Sequence, residues 1–350
     1  RTKSAQYYGG LDEFGVNNPL LRYRNYFTWP SKYKFFTNAP SVQFVRGGNN
    51  EEDNLDYLTV CLKQGDSAAG SILDVGSQIA YMKIEYFDKD GNALAGTIGG
   101  NTYYYIENIY GWGGSSASSA DTPGRSILYF GCGTMNLQHQ TASNQLTPTN
   151  HTDWACYRIS GHKGNPVDDS DRVTRHYYFY KYGSEGTEVD SNGFNDRHQS
   201  CTKYENIRLT WRNKLGAWDY FNFRGKSIEK LDISRESMGS VEGTWGSTAF
   251  NYNNWDRGIS VLFTEAKRKL TISTDYLNED EAIWLEELFT STDVNIIGDN
   301  PDPDDEDTFL VIDPVIIKNK SYTKKNSINN KVKIQYTLEL EYAHNTRTNS

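Results

Sequence analysis

The sequence predicts a mostly β protein: an antiparallel β-sandwich domain followed by a second β-domain that carries one short helix. Three observations predict it. Aromatic residues make up 14% of the 350 residues, with 25 Tyr and 8 Trp against 3 Met and 9 Pro, and rings and β-branched side chains suit pleated strands. Short runs alternate apolar and polar residues at period two, separated by polar or Gly-containing turns. Only one segment carries helical periodicity between a start and a stop signal.

The elements follow in order. Residues 1–40 are rich in Tyr, Asn and Pro and have weak periodicity. They read as an extended N-terminal arm, loose or docked on a partner. Residues 41–205 read as the sandwich, with roughly eight short strands folded into two sheets. "SVQFV" is followed by a polar turn. "LDYLTVCLK" and "SQIAYMKIEYF" alternate, and Asp-Gly in "DKDGNALAG" signals a hairpin. The Gly/Ser-rich 111–124 reads as a loop, and strands resume at "RSILYFGC", "WACYRIS" and "RHYYFYKY".

Residues 206–350 read as the second domain. "NIRLTW" and "AWDYFNF" flank "RNKLG", a tight turn ending in Gly216, suited to positive φ. Alternation places Ile207, Leu209, Trp211, Trp218 and Tyr220 on a core face, with Phe221 and Phe223 on the other. Trp211, Trp218, Tyr220, Phe221 and Phe223 are therefore the candidate core or interface aromatics, and what covers Phe221 and Phe223 becomes the question. "KSIEKLDISRES", "GISVLFTEAKRKLTISTDYL", "VNIIG", "TFLVIDPVIIKN" and "KVKIQYTLELEYA" supply further strands. The helix is expected near 279–290. Asn278 and Glu281 form a capping box, acids fill the first turn, and Ala282, Leu285, Leu288 and Phe289 face the core with Trp284 flanking.

Composition and motifs narrow the function. Lys and Arg total 36 against 45 Asp and Glu, a net charge of −9, and no basic run reaches five residues. No nucleic-acid partner is expected. No apolar run is long enough to cross a membrane, and the N-terminus lacks an apolar signal region, so neither membrane insertion nor a leader is expected. The chain begins at Arg1 rather than Met, which fits a processed or truncated product. Cys61, Cys132, Cys156 and Cys201 are scattered and read as free, mostly buried thiols.

Candidate chemistry is sparse. The six His show no metal-ligand spacing. Asp88, Asp90 and Asn92 resemble the start of a calcium loop but lack its sixth-position Gly and twelfth-position Glu, so a hairpin turn is the better reading. Six acids between Asp299 and Asp307 would suit Ca²⁺, but a solvated loop is the simpler reading. No nucleophile elbow, protease cysteine context or phosphate loop occurs, and nothing singles out a carboxylate pair for glycoside hydrolysis. No catalytic residue, metal or cofactor is therefore expected.

Several motifs resemble tailed-bacteriophage virion structural proteins of the tail or baseplate region, of the marine and Bacteroidetes phage type. "CTKYENIRLTWRNKLGAWDYFNF" is similar to that family's aromatic hairpin, through Arg208, Leu209, Trp211, Asn213, Gly216, Trp218, Asp219, Tyr220 and Phe223. "KSIEKLDISRES", "LTISTDYLNEDEAIWLEELFTSTDVNII" and the segment from "PVIIKNKSYTKKN" to "LELEYAHNTRTN" resemble the following strand, a strand–helix–strand unit and the closing hairpin. "SILYFGCGTMNLQ" resembles a weaker strand–turn element. The resemblance covers 200–350 well and 41–200 loosely. Family members often carry Gly-Gly where this chain has Gly216 and Ala217. The resemblance implies a non-enzymatic, homo-oligomeric virion protein of a tail, baseplate or fibre attachment, assembled in the host cytoplasm and contacting copies of itself and other virion proteins. It implies no catalytic residues. An alternative is a host-surface adhesin binding glycans through its Trp and Tyr rings, with Trp112 in the Gly/Ser loop as a candidate. A particle-borne polysaccharide-cleaving enzyme is the third reading.

Overall fold

A computed structural model describes residues 35–48, 54–63, 79, 81–94, 102–107, 127–138, 153–162, 169–172, 174–182, 204–241, 243, 251, 253–255, 258–298, 311–319, 321–323 and 334–344. The Gly/Ser loop with Trp112, the acidic loop 299–307, Cys201 and most of the predicted arm lie outside them.

The protein is mostly β, with antiparallel sheets. In its first half lie β1 (Val42–Val45), β2 (Thr59–Lys63), β3 (Tyr81–Phe87), β4 (Tyr104–Glu107), β5 (Ile127–Gly131), β6 (Cys156–His162) and β7 (Tyr177–Lys181). A five-stranded sheet runs β1-β7-β6-β3-β4, and β2 and β5 pair as a separate ribbon. The two layers share one core. Leu58, Val60, Leu62 and Phe130 meet Met82, Ile84, Tyr86, Tyr157 and Phe179 there. One pairing departs from the antiparallel expectation: β1 and β7 are parallel. Parallel neighbours need a long crossover, and the chain between Val45 and Tyr177 supplies one. The Asp-Gly signal is a true turn. Gly91 has φ +80°, and the Asp88 carboxylate accepts from the Asp90 and Asn92 amides at 2.9 and 2.8 Å.

The second half contains β8 (Ile207–Arg212), β9 (Trp218–Phe223), β10 (Ile228–Gly239), β11 (Ile259–Ser273), β12 (Val294–Gly298), β13 (Val311–Ile317) and β14 (Thr337–Tyr342). They form one seven-stranded sheet, β10-β11-β14-β13-β12-β8-β9, whose pairings are all antiparallel. A short helix not anticipated from the sequence, α1 (Thr134–Gln138), follows β5 in the first half. The anticipated helix is α2 (Glu279–Thr290), and both bonds of the Asn278/Glu281 capping box are present. Ala282, Leu285 and Leu288 are buried in the second core with Leu209, Ile272, Leu338 and Leu340. Trp284 belongs to that core as well, rather than flanking it.

The β8–β9 register corrects the predicted faces. Cross-strand partners share a face, and the pairs are Leu209↔Phe221, Trp211↔Asp219, Thr210↔Tyr220 and Arg212↔Trp218. Phe221 and Phe223 therefore lie on the core face with Leu209 and Trp211, and α2 covers them. The Phe221 and Trp211 rings lie 6.0 and 5.2 Å from Trp284. Tyr220 points the other way, against the first core, and Trp218 is 38% exposed. The predicted turn stands: Gly216 has φ +88°, and the Asn213 side chain accepts from the Leu215 and Ala217 amides.

Residues 35–40, the end of the predicted arm, are packed on their own chain. Phe35 lies in the first core, edge-on to Tyr177 at 4.5 Å, and Ala39 lies in the second.

Trp211→Ala should destabilise the protein by about 3–5 kcal/mol, as a fully buried ring does. Trp218→Ala should cost only about 0.5 kcal/mol. Chemical-denaturation midpoints check the pair, and equal losses would contradict the register.

Candidate interaction surface

The β8–β9 hairpin binds two layers at once. From its outer face Arg208 reaches the first half of the chain. Its guanidinium donates to Asp56 Oδ2 at 3.2 Å and twice to the Tyr57 carbonyl at 3.1 and 2.9 Å. Arg46 Nε and Asn222 Nδ2 donate to the same carboxylate at 2.6 and 2.8 Å. Asp56 and Arg208 are both buried. Burial pushes the Asp56 carboxyl up, but Arg208, Arg46 and the hydrogen bonds outweigh it and hold it below its ordinary range. The ion pair is fully desolvated and well partnered, a cross-brace between the two cores.

On the core face, Asp219 replaces an apolar residue opposite Trp211. Its carboxylate accepts from Trp284 Nε1 at 2.8 Å, tying β9 to α2. Burial drives it up to about 7, despite hydrogen bonds from Trp284, Thr37 and Asn213. Nearby, Glu287 accepts from Asn38 and from the Lys214 amide at 2.7 and 3.2 Å. These polar groups bind elements to one another.

Reactive chemistry is equally scarce. Cys61, Cys132 and Cys156 are free and buried, and burial pushes the Cys61 and Cys156 thiols up to about 12 and 11. Among the described residues, no three His, Cys, Asp or Glu side chains gather as a metal site, and no helix is long and apolar enough to cross a membrane.

The feature that the first and second cores leave uncovered is the β10–β11 ribbon. Only 269–273 of β11 pair with β14. Residues 259–268 pair with β10 alone, so the ribbon runs about 30 Å past the sheet at roughly 3.3 Å per residue. It is amphipathic. On one face Lys230 and Lys269 each lie 2.6 Å from Asp232, and Lys267 lies 2.9 Å from Glu265. The opposite face continues that of Leu270 and Ile272, which are buried under α2. Register puts Leu231, Ile233 and Ala266 on it, interrupted by the Glu229–Arg268 pair and by Arg235 opposite Thr264. An extra residue in β11, Leu262, shifts the register there and keeps Val261 and Ile259 on the apolar face. Leu231, Ile233, Val261 and Ile259 are 49, 47, 55 and 71% exposed. A core-type face thus runs on beyond its own core.

The candidate aromatics Trp211, Phe221 and Phe223 belong to the interior beneath α2, Tyr220 faces the first core, and Trp218 is half-exposed. The ribbon was not singled out from the sequence. Its signal was length: β11 has fifteen residues, against a usual strand of about five or six.

No family model matches the chain, and no curated protein matches it.

Raising a carboxyl's pKa on folding favours the folded state at low pH, and that contribution is lost as the pH rises through the folded value. For Asp219 the window runs from about 4 to about 7. His176, which burial holds down to about 4, acts oppositely over the same range but is common to wild type and variant. The stability of Asp219→Asn relative to wild type should therefore improve from pH 4 to pH 8 in parallel denaturation series. A difference independent of pH would show that Asp219 does not titrate there.

Proposed function

We propose that the chain is a non-enzymatic structural subunit of a phage or phage-like particle, part of a tail, baseplate or fibre attachment, joined to its neighbours through the β10–β11 ribbon. The observation that carries this reading is the ribbon's apolar face, which continues the core side of the sheet and is left exposed by its own chain. Such a face on a long two-stranded ribbon marks an interaction site, and a ribbon of two strands gains independent stability from a further layer or strand. The resemblance of the aromatic hairpin, the strand–helix–strand unit and the closing hairpin to tail and baseplate proteins supports the same reading. The buried thiols and the cross-braced polar groups suit a rigid building block.

Purified particles should contain the chain as a stoichiometric component by quantitative mass spectrometry, and Leu231→Ser/Ile233→Ser should fold normally yet be strongly depleted from them. Particles lacking the chain would end the proposal. Full incorporation of the double variant would remove the ribbon's role.

A second reading, glycan binding at the host surface, draws on a tyrosine group beside β3 and β4, in which Tyr105 is exposed and Tyr81 and Tyr103 are half-buried. The Tyr105 ring lies 5.4 Å from Tyr81 and 6.5 Å from Tyr103. Binding to host-envelope glycans that falls at least tenfold in Tyr105→Ala, roughly one lost ring contact, would favour it.

A further inference from the structure

The outer edge of β10 has a directional pattern of backbone groups. At the ribbon's far end, Ser240 N–H donates to Gly258 O, so the even-numbered amides of β10 point inward, towards β11. At the near end, Thr274 N–H donates to Tyr336 O. The even amides of β11 therefore point to β14, and its odd residues, Lys269 and Thr271, exchange bonds with Lys230 and Ile228. Both ends agree, and the extra residue lies on β11, so β10 keeps its alternation throughout. Leu231, Ile233 and Arg235 consequently present their N–H and C=O groups outward, along an edge that has no partner strand among the described residues. The sheet's opposite edge, β9, is largely buried, with Tyr220 packed on the first core and hydrogen-bonded to Thr59. Edge-to-edge growth of this sheet is left to β10.

We propose that β10 pairs antiparallel with β10 of a second copy of this chain, across a two-fold axis at Ile233. The inference rests on the reading of the ribbon as a subunit contact and names its occupant. The sequence of β10 is self-complementary about Ile233. Ile228 falls opposite Met238 of the second copy, Lys230 opposite Glu236, Asp232 opposite Ser234, and Ile233 opposite itself. Arg235 lies over Leu231, its head diagonal to Glu229 of the other copy. Outward amides and matching faces permit only slips in steps of two residues, of which the longer ones shorten the paired length. One two-residue slip sets Asp232 against Asp232, and the other sets Asp232 against Glu236. Like charges directly opposite are destabilising, so charge disfavours both registers adjacent to the central one. The lysines and acids that keep an open edge from indiscriminate pairing act here as a key. Pairing by a two-fold axis also joins the two apolar ribbon faces into one four-stranded surface, and a self-complementary patch is what a two-fold interface requires.

The test is a charge swap in the full chain, read by analytical ultracentrifugation. Wild type should be a dimer, or a higher species built from dimers. Glu236→Lys sets two lysines face to face and should dissociate it, with the circular dichroism spectrum unchanged and a thermal midpoint that no longer depends on protein concentration. Lys230→Glu/Glu236→Lys should restore it. Should the single variant fold poorly, Lys230→Cys/Glu236→Cys gives an independent reading. Positions 230 and 236 meet as a non-hydrogen-bonded pair, and oxidation should yield a covalent dimer. A monomeric wild type at every concentration would overturn the inference. So would an oligomer indifferent to Glu236→Lys with no cross-link between 230 and 236. A chain present in particles as such an indifferent oligomer would overturn self-pairing while leaving the structural-subunit reading in place. A charge-keyed dimer absent from particles would do the reverse.

Discussion

The structure depends on a hairpin that is buried on both sides. One face of β8–β9 places Leu209, Trp211, Phe221 and Phe223 under α2. The other places Arg208, Tyr220 and Asn222 on the first half of the chain, around the buried Asp56 carboxylate. The first face is apolar and gains by leaving water, whereas the second holds an ion pair whose burial is offset by the partners gathered around Asp56. Taking charges out of water is costly, and removing one partner of such a pair typically costs about 3–5 kcal/mol. Here Asp56 accepts from Arg46 and Asn222 as well as Arg208, while Arg208 spends its other donors on the Tyr57 carbonyl. The observed docking of the two cores satisfies all of these groups.

Consuming both faces of one edge hairpin leaves the other edge of the sheet with a contrasting character. β11 starts beneath α2 as a core strand, at Ile272 and Leu270, and leaves the sheet with its pattern intact. The charged face of the ribbon is held by Lys230, Asp232 and Lys269. These are exposed pairs, which contribute little stability, and so set geometry more than strength. Burial that the chain itself does not supply is available from association, and the outward amides of Leu231, Ile233 and Arg235 are the groups a further strand would take.

Much of this was legible in the residues. Asn278 and Glu281 marked the start of α2 by a local rule, since a capping box needs only four adjacent residues. Gly216 marked the turn for a similar reason, as positive φ is a property of one residue. The two faces of β9 were not legible. Both carry rings, and the face that meets α2 also carries Asp219, an acid whose apparent misfit disguises the core side until its bond to the Trp284 indole is seen. Register across a turn decides which face is which, and that depends on turn geometry beyond simple alternation. The parallel β1–β7 pair was hidden for another reason: its partners are distant in sequence, and nothing local distinguishes a parallel neighbour from an antiparallel one. The ribbon showed as strands, but its exposure depends on where β14 stops, at the pair Lys269↔Glu341.

Residue-resolved amide hydrogen exchange on β10, followed from dilute to concentrated protein, tests the self-pairing edge most directly. The inward amides of Lys230, Asp232 and Ser234 should be protected throughout, because β11 holds them. Those of Leu231, Ile233 and Arg235 should exchange freely in dilute protein and become protected as concentration rises. Fast exchange of these three at every concentration would contradict self-pairing, and so would full protection in the dilute monomer, which would mean that another part of the same chain already occupies the edge.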